Sequence, residues 1–340
     1  MKNEQKIKDA SDSPNPVVTV LQIAGGHVLP RCLHAVAELG VADALDESPR
    51  TAAELAASVG ADPDALGRVL RFLSAYGVFE SQGDAFGHSP ASRLLRADHP
   101  QSMRAVVRMF GLPVNWRISG ALEESVRTGL PATPKVLPEG HWGYFAEHPE
   151  ENAIFNAAME GKAHGQVAGV LGAYDFSGFG TVGDIGGGRG HLLRAVLEAA
   201  PDATGVLFDL PHVIEGVAEL ASKRLSLQAG DFFKDPLPTC DAYLIMEVIH
   251  DWGDEEAVAI LKALRSAAPP HAKILVIEQL IPPTGRPDWA MTLDIHMLVL
   301  LGGRQRTRTE YEELFREAGL SMQRQVDTAG GISILEATPA

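Results

Sequence analysis

Asp184-Ile185-Gly186-Gly187-Gly188-Arg189-Gly190-His191 decides the fold, because an apolar run from Thr181 to Ile185 ends in it and a helical pattern from Leu192 to Ala200 follows. Glycines at such a strand-to-helix joint let the backbone turn tightly and approach a ligand, with the free N–H groups of the next helix presented alongside. Two nucleotide-binding patterns fail on spacing. A dinucleotide fingerprint would place its third glycine where His191 stands, and a phosphate loop would end in Gly-Lys followed by Ser or Thr. What remains is an acidic residue, Asp184, with glycines at Gly186, Gly188 and Gly190.

Beyond the loop, apolar runs at Thr204–Phe208, Ser226–Ala229, Ala242–Met246 and Ile274–Glu278 alternate with helical stretches such as Glu255–Ala267. That alternation predicts a parallel sheet with crossover helices. Met322–Val326 and Ile332–Glu336, joined through Ala329-Gly330-Gly331, predict an antiparallel hairpin that closes it. Ligands of such sheets bind beyond the carboxyl ends of the strands. The second strand ends at Asp209-Leu210, where a carboxylate can accept both hydroxyls of a ribose. The third ends at Gly230-Asp231-Phe232, where Asp231 offers an acceptor for an adenine amino group and Phe232 a cover for the ring. Each feature also has a plainer reading, since glycine turns are ordinary joints and strand-end aspartates often cap helices. Their order and spacing point together to one nucleoside.

Upstream, Val17 to about Arg96 shows apolar residues at three- and four-residue spacing, with Leu33, Val36, Ala37 and Leu39 as one set and Leu66, Val69, Leu70 and Leu73 as another. Thr51 with Glu54 has capping-box spacing, and Asp62-Pro63 marks a second helix start. Val78-Phe79-Glu80 and Ala85-Phe86-Gly87 around Gln82-Gly83-Asp84 read as a short hairpin, which gives a winged-helix order. DNA is not the expected partner: between Arg50 and Arg96 five basic residues face five acidic ones, and the whole chain carries a formal charge of -15. Packing or dimerisation is the expected role of this region. The domains expected are a loose terminus at 1–16, a winged-helix-like domain at 17–100, a helical connector at 101–174 and the α/β domain at 175–340.

The 340 residues, 45% hydrophobic and 21% charged, suit a two-domain globular protein. With no signal-peptide pattern and no run of eighteen apolar residues, a cytoplasmic protein without a membrane partner is expected. Cys32 and Cys240 match no metal or redox spacing and are expected as buried free thiols.

After the fourth strand the chain reads Glu247-Val248-Ile249-His250-Asp251-Trp252, which places His250 at the rim of the nucleoside site. Imidazole, with a pKa of about 6.5, is suited to accept a proton at neutral pH, so His250 is the expected general base. Glu278 on the neighbouring strand is expected to hold the ring through its other nitrogen.

From Val17 onward the chain resembles the plant-type S-adenosylmethionine-dependent O-methyltransferases, of the caffeate and hydroxyindole kind, and their bacterial natural-product relatives, which include aromatic polyketide and phenazine tailoring enzymes. The motifs are Val182-Gly183-Asp184-Ile185-Gly186-Gly187-Gly188, Phe208-Asp209-Leu210-Pro211, Gly230-Asp231-Phe232-Phe233, His250-Asp251-Trp252 and Gly302-Gly303-Arg304-Gln305-Arg306-Thr307. The resemblance implies a class I methyltransferase Rossmann-like sheet, an N-terminal helical dimerisation domain and an intertwined homodimer. It implies S-adenosylmethionine as cofactor, held by Asp184, Gly186, Gly188, Asp209, Leu210, Gly230, Asp231, Phe232 and Met246. It further implies catalysis without a metal, His250 as base beside Glu278 and Gln305, and an aromatic hydroxyl as substrate lined by Phe155, Met159, Met291 and Met297. Two positions depart from the family pattern: Gln305 replaces a frequent Glu, and Met246 stands where plant members often carry Lys. Relatives that hydroxylate or decarboxylate their aromatic substrate form one rival reading, which Gln305 keeps open. A winged-helix regulator that senses the nucleoside forms another.

Overall fold

The computed structural model describes residues 15–340, and the loose segment expected at the N-terminus lies outside them up to residue 14. Pro16 does not belong to a loose terminus: it opens helix α1 (Pro16–Ala24), and the Asn15 side chain caps it by accepting from Val17 N. The chain forms two compact units.

The first unit runs to Asn115 and includes residues 153–158. It holds α2 (Val28–Leu39), the two-residue β1 (Arg50–Thr51), α3 (Ala52–Val59), α4 (Pro63–Ala75), the hairpin β2 (Phe79–Gln82) and β3 (Ala85–His88), and α5 (Pro90–Arg93). It continues with α6 (Arg104–Gly111). Thr51 and Glu54 make the capping box at the start of α3, and the Asp62 carboxylate caps α4 through Ala65 N. Caps of this kind each contribute about 1 kcal/mol. β1 pairs with β3, so the wing has three strands where the sequence showed two. Leu45, Leu55, Leu70, Leu73 and Phe79 are its buried centre. Cys32 corrects an expectation: it is only half-buried on α2, at the margin of the core that its i+4 neighbour Val36 enters, whereas Cys240 is buried.

Helix α7 (Pro113–Ser119) begins at the end of that unit. The second unit comprises 116–152 and 159–340. Short helices α8 (Leu122–Thr128), α9 (Thr133–Val136) and α10 (Gly140–Glu147) precede the long α11 (Pro149–Ala173), so the stretch 101–174 is shared between the units. Then come β4 (Thr181–Ile185), α12 (His191–Ala199), β5 (Thr204–Asp209), α13 (Pro211–Glu215), β6 (Leu225–Ala229), β7 (Ala242–Met246), α14 (Asp254–Ala267) and β8 (Lys273–Glu278). Helices α15 (Trp289–Leu300) and α16 (Arg308–Glu317) lead to β9 (Leu320–Asp327) and β10 (Ser333–Pro339). The sheet order is β6-β5-β4-β7-β8-β10-β9; β4 to β8 run parallel, and β10 is antiparallel to both β8 and β9. The expected hairpin therefore closes the sheet.

Helical side chains cover both faces. Val258, Leu261 and Leu264 of α14 with Phe315 of α16 pack one side, and Val170 of α11 with Leu193 and Val196 of α12 pack the other. β7 and β8 are apolar along almost their whole length because both their faces are covered. Strand order reverses between β4 and β7: the chain builds outward through β5 and β6, then returns to the far side of β4. Such a switch point leaves a crevice at the strand ends. The glycine loop leaves one side of it and His250 the other.

Candidate active site

The glycine loop follows β4 and is drawn to the neighbouring strand ends by backbone bonds. Gly186 N donates to Phe208 O at 2.8 Å, and Gly188 N donates to the Asp209 carboxylate at 2.8 Å. The other Asp209 oxygen accepts from Leu210 N at 2.7 Å. Gly186, Gly188 and Gly190 all have positive φ. At Gly188 (φ 56°) an added Cβ would meet nothing within 4 Å, so the loop borders open space there. Gly230 closes the third side: its N donates to Asp209 O at 2.9 Å, and a Cβ on it would lie 2.6 Å from the Phe208 ring. The Phe232 ring edge stands 3.9 Å from the Cβ position of Gly186. Phe232, Phe233 and Trp252 form an edge-to-face cluster, with centroids 4.8 to 6.0 Å apart. Backbone amides, a carboxylate and an aromatic edge around an open loop fit an adenosyl group, since they offer acceptors for its hydroxyls and an apolar flank for its base.

Three expected residues behave differently in detail. Asp184 is buried beneath the loop, and one of its oxygens has no partner. Burial pushes its carboxyl up to about 7 against a hydrogen bond from Leu193, and the Asp209 charge adds to the rise. Asp231 spends its oxygens locally, on Phe233 N at 2.9 Å and Lys234 Nζ at 2.7 Å. The Lys234 bond holds its carboxyl below the usual range. Met246 is half-buried at the end of β7, opposite Ile277 of β8.

His250 sits on a single 3₁₀ turn, Ile249–Asp251, just past β7. Val248 of the same stretch has a methyl 3.0 Å from the Cβ position of Gly186, which ties this turn to the glycine loop. The structure brings His250, Glu278 and Gln305 together. The Gln305 amide nitrogen is 2.6 Å from His250 Nδ1, Glu278 Oε2 is 3.3 Å from the same nitrogen, and Glu278 Oε1 accepts from His250 N at 3.2 Å. His250 Nε2 points the other way, 3.3 Å from Asp251 Oδ1.

The segment Gly302–Thr307 clamps this turn. Arg304 N donates to His250 O at 2.8 Å, and a Cβ on Gly303 would collide with that same carbonyl, so only glycine fits there. Arg306 is fully buried and donates to Ile249 O, Trp252 O and the Asp254 carboxylate. Gln305 N donates to Asp294 Oδ1 of α15 at 2.9 Å. Met291 and Met297 lie three residues before and after Asp294 on that helix, the first half-buried and the second buried. Met159 is half-buried on α11, and Phe155 falls in the stretch 153–158, which groups with the first unit.

Two residues were not singled out in the sequence. Glu247 has φ 52°, the only non-glycine with positive φ among the described residues, and its carboxylate pairs with Lys162 Nζ of α11 at 2.6 Å. A strained backbone of this kind costs about 1–3 kcal/mol and persists where its surroundings fix it. Burial opposes ionisation of Glu247, but Lys162 and His250 hold its carboxyl below the ordinary range. Burial lowers the His250 imidazole to about 4, with Lys162 and Arg306 acting in the same sense and Glu247 and Gln305 against it. Burial, with repulsion from Glu247, raises Asp251 to about 7 and Glu278 well above its usual value. Among the described residues no group of three or more His, Cys, Asp or Glu is placed to hold a metal ion, and no helix is long and apolar enough to cross a membrane.

A seven-stranded sheet with this switch point, glycine loop and histidine turn defines a class I S-adenosylmethionine-dependent methyltransferase. The chain belongs to the O-methyltransferase family: the O-methyltransferase domain matches residues 120–321, and the O-methyltransferase dimerisation domain matches 21–98. It is 39% identical over 330 residues to the phenazine O-methyltransferase PhzM of Lysobacter antibioticus, covering 94% of this chain and 95% of that one. It is 40% identical over 301 residues to the 8-amino-8-demethylriboflavin N,N-dimethyltransferase of Streptomyces davaonensis, covering 85% and 86%. Among solved structures, CalO1, a methyltransferase of calicheamicin biosynthesis in its SAH-bound form, superposes with a TM-score of 0.87 at 34% identity, covering 96% of this chain and 100% of that one.

Proposed function

We propose that this O-methyltransferase methylates a hydroxyl on a small aromatic natural product, without a metal, through His250. The arrangement that supports this most is a histidine turn fixed at the strand-order reversal, with its ring gripped on one nitrogen by Gln305 and Glu278 and its backbone stretch packed on the glycine loop. The named acceptors of the phenazine and riboflavin relatives are fused aromatic rings.

Bound S-adenosylmethionine supplies an electrophilic methyl group on a sulfonium. Gly186, Gly188 and Gly230 would let the backbone approach it, the Asp209 carboxylate would accept from the ribose hydroxyls with Leu210 beside it, and Asp231, Phe232 and Met246 would flank the adenosyl group, with Asp184 supporting the loop from below. Met159, Met291 and Met297 are assigned to the acceptor ring, since thioethers adapt to flat ligands. His250 acts on the acceptor hydroxyl as general base, a role that contributes about 10²–10⁴-fold. The remaining gain comes from alignment of oxygen, methyl and sulfur and from exclusion of water while opposite charges neutralise. The first unit pairs two chains into a homodimer, with the boundary between dimerisation and catalytic regions near residue 100.

His250→Ala tests the assignment. We expect its affinity for S-adenosylhomocysteine to stay within about threefold of wild type while turnover falls about 10²-fold or more. Unchanged turnover would remove His250 from the chemistry.

A further inference from the structure

The order of strands sets which end of the cofactor lies where. Asp231 and Phe232 follow β6, Asp209 closes β5, the glycine loop follows β4, and β7 is next in the sheet. Neighbouring strands stand about 4.8 Å apart. An adenosyl group with its base at β6 and its ribose at β5 would therefore send its sulfur and its amino-acid end over β4 towards β7. That end carries an ammonium and a carboxylate at neutral pH. It calls for one anion and one cation.

Glu247 and Lys162 stand there as such a pair. Glu247 is the first residue past β7, Lys162 belongs to α11, and their charged ends meet at 2.6 Å while the side chains remain 16% and 27% exposed. Gln166, one turn further along α11, adds a bond to the same carboxylate. An ammonium has three donors, of which this contact with Glu247 takes one. Glu247 keeps its place with a left-handed backbone, φ 52°, of the kind that gathers where a ligand is held.

The neighbouring charges are less suited. Asp184 lies beneath the loop, where burial raises its carboxyl to about 7. Burial likewise raises Asp251 to about 7 and Glu278 well above its usual value. Burial opposes ionisation of Glu247 as well, yet Lys162 and His250 hold it below the ordinary range. Arg306 is fully buried and engaged with two carbonyls and Asp254. Arg189 of the loop is exposed, and Met246 brings no charge to the end of β7.

We propose that Lys162 and Glu247 together bind the amino-acid end of S-adenosylmethionine, Lys162 donating to its carboxylate and Glu247 accepting from its ammonium. This deepens the cofactor placement given above and rests on it. Helix α11 thus supplies, from far upstream, the cation that Met246 leaves out. The pair and the amino-acid end are each neutral overall, so they match without adding net charge beside the sulfonium. Both residues also act on the charge of the His250 imidazole, which places the pair next to the reacting centre and makes it an anchor for the sulfur there.

Calorimetric titration with S-adenosylhomocysteine and with methylthioadenosine, which keeps the adenosine and the sulfur but lacks the amino-acid end, tests this. Wild type should bind S-adenosylhomocysteine at least about tenfold more tightly, and Lys162→Met should erase most of that preference while its affinity for methylthioadenosine stays within about threefold. Because Lys162→Met leaves a carboxylate without its cation, the double variant Lys162→Met, Glu247→Gln is measured beside it, with thermal unfolding to show that each is folded. It should lose the preference too. Parallel loss of both ligands means that the pair only props the strand end, and overturns the proposal. So does a preference that survives in both variants, or one that Arg189→Met erases in their place. Wild type that binds neither ligand overturns the proposal together with the cofactor reading beneath it.

Discussion

At Gly187 the loop allows no side chain: a methyl there would lie 2.5 Å from Asp184 Cγ and 2.6 Å from Leu207 Cδ1, both in the buried floor beneath it. Gly187→Ala should therefore cost about 1–3 kcal/mol of stability and weaken S-adenosylhomocysteine binding, read by thermal unfolding and calorimetry. An unchanged melting temperature and affinity would mean that the floor yields. This limit was visible in the sequence only as one more glycine in a run, because it depends on Asp184 turning inward. That Asp209, Phe232, His250 and Glu278 stand at or just past strand ends was legible, since each closes or follows an apolar run, whereas Gln305, between α15 and α16, came only from the resemblance. Lys162 and Glu247 were not legible. Their pairing needs a helix residue far upstream and a left-handed backbone that no spacing announces.

Helix α1 shows what patterning leaves out. Val20, Leu21 and Ile23 are 66%, 66% and 75% exposed, and Val17 and Val18 beside them are also exposed, so none of the helix is buried within one chain. An apolar element of this kind marks a protein contact. Since α1 runs into the segment matched by the dimerisation domain, a second copy of the chain is the assigned partner. The double variant Leu21→Glu, Ile23→Glu should sediment with the mass of one chain where wild type sediments as two. A variant that remains dimeric would place the interface elsewhere. Helix α14 was read well because a helical period accumulates over its length, whereas β7 and β8 were read from unbroken apolar runs. The two-residue β1 and the short helices α8 and α9 carry too few residues to show a period.

Across the whole molecule, function depends on topology more than on any single motif. The reversal of strand order between β4 and β7 opens one crevice, and the glycine loop, Asp209, Phe232 and the His250 turn all reach it from different strand ends. The alternation of strands and helices made a parallel sheet predictable, but strand order came only with the structure, since sequence spacing does not say on which side of β4 the next strand adds. The net charge of -15 argued against a nucleic-acid partner at the start. The central claim is that this crevice holds an adenosyl cofactor. Calorimetric titration of the intact protein with S-adenosylhomocysteine, alongside Asp209→Ala, tests it most directly. The account expects micromolar binding that falls at least tenfold in the variant, as loss of a charged hydrogen-bond acceptor worth about 1.5–3 kcal/mol requires. Absence of binding by the folded protein, or equal binding by the variant, would contradict it.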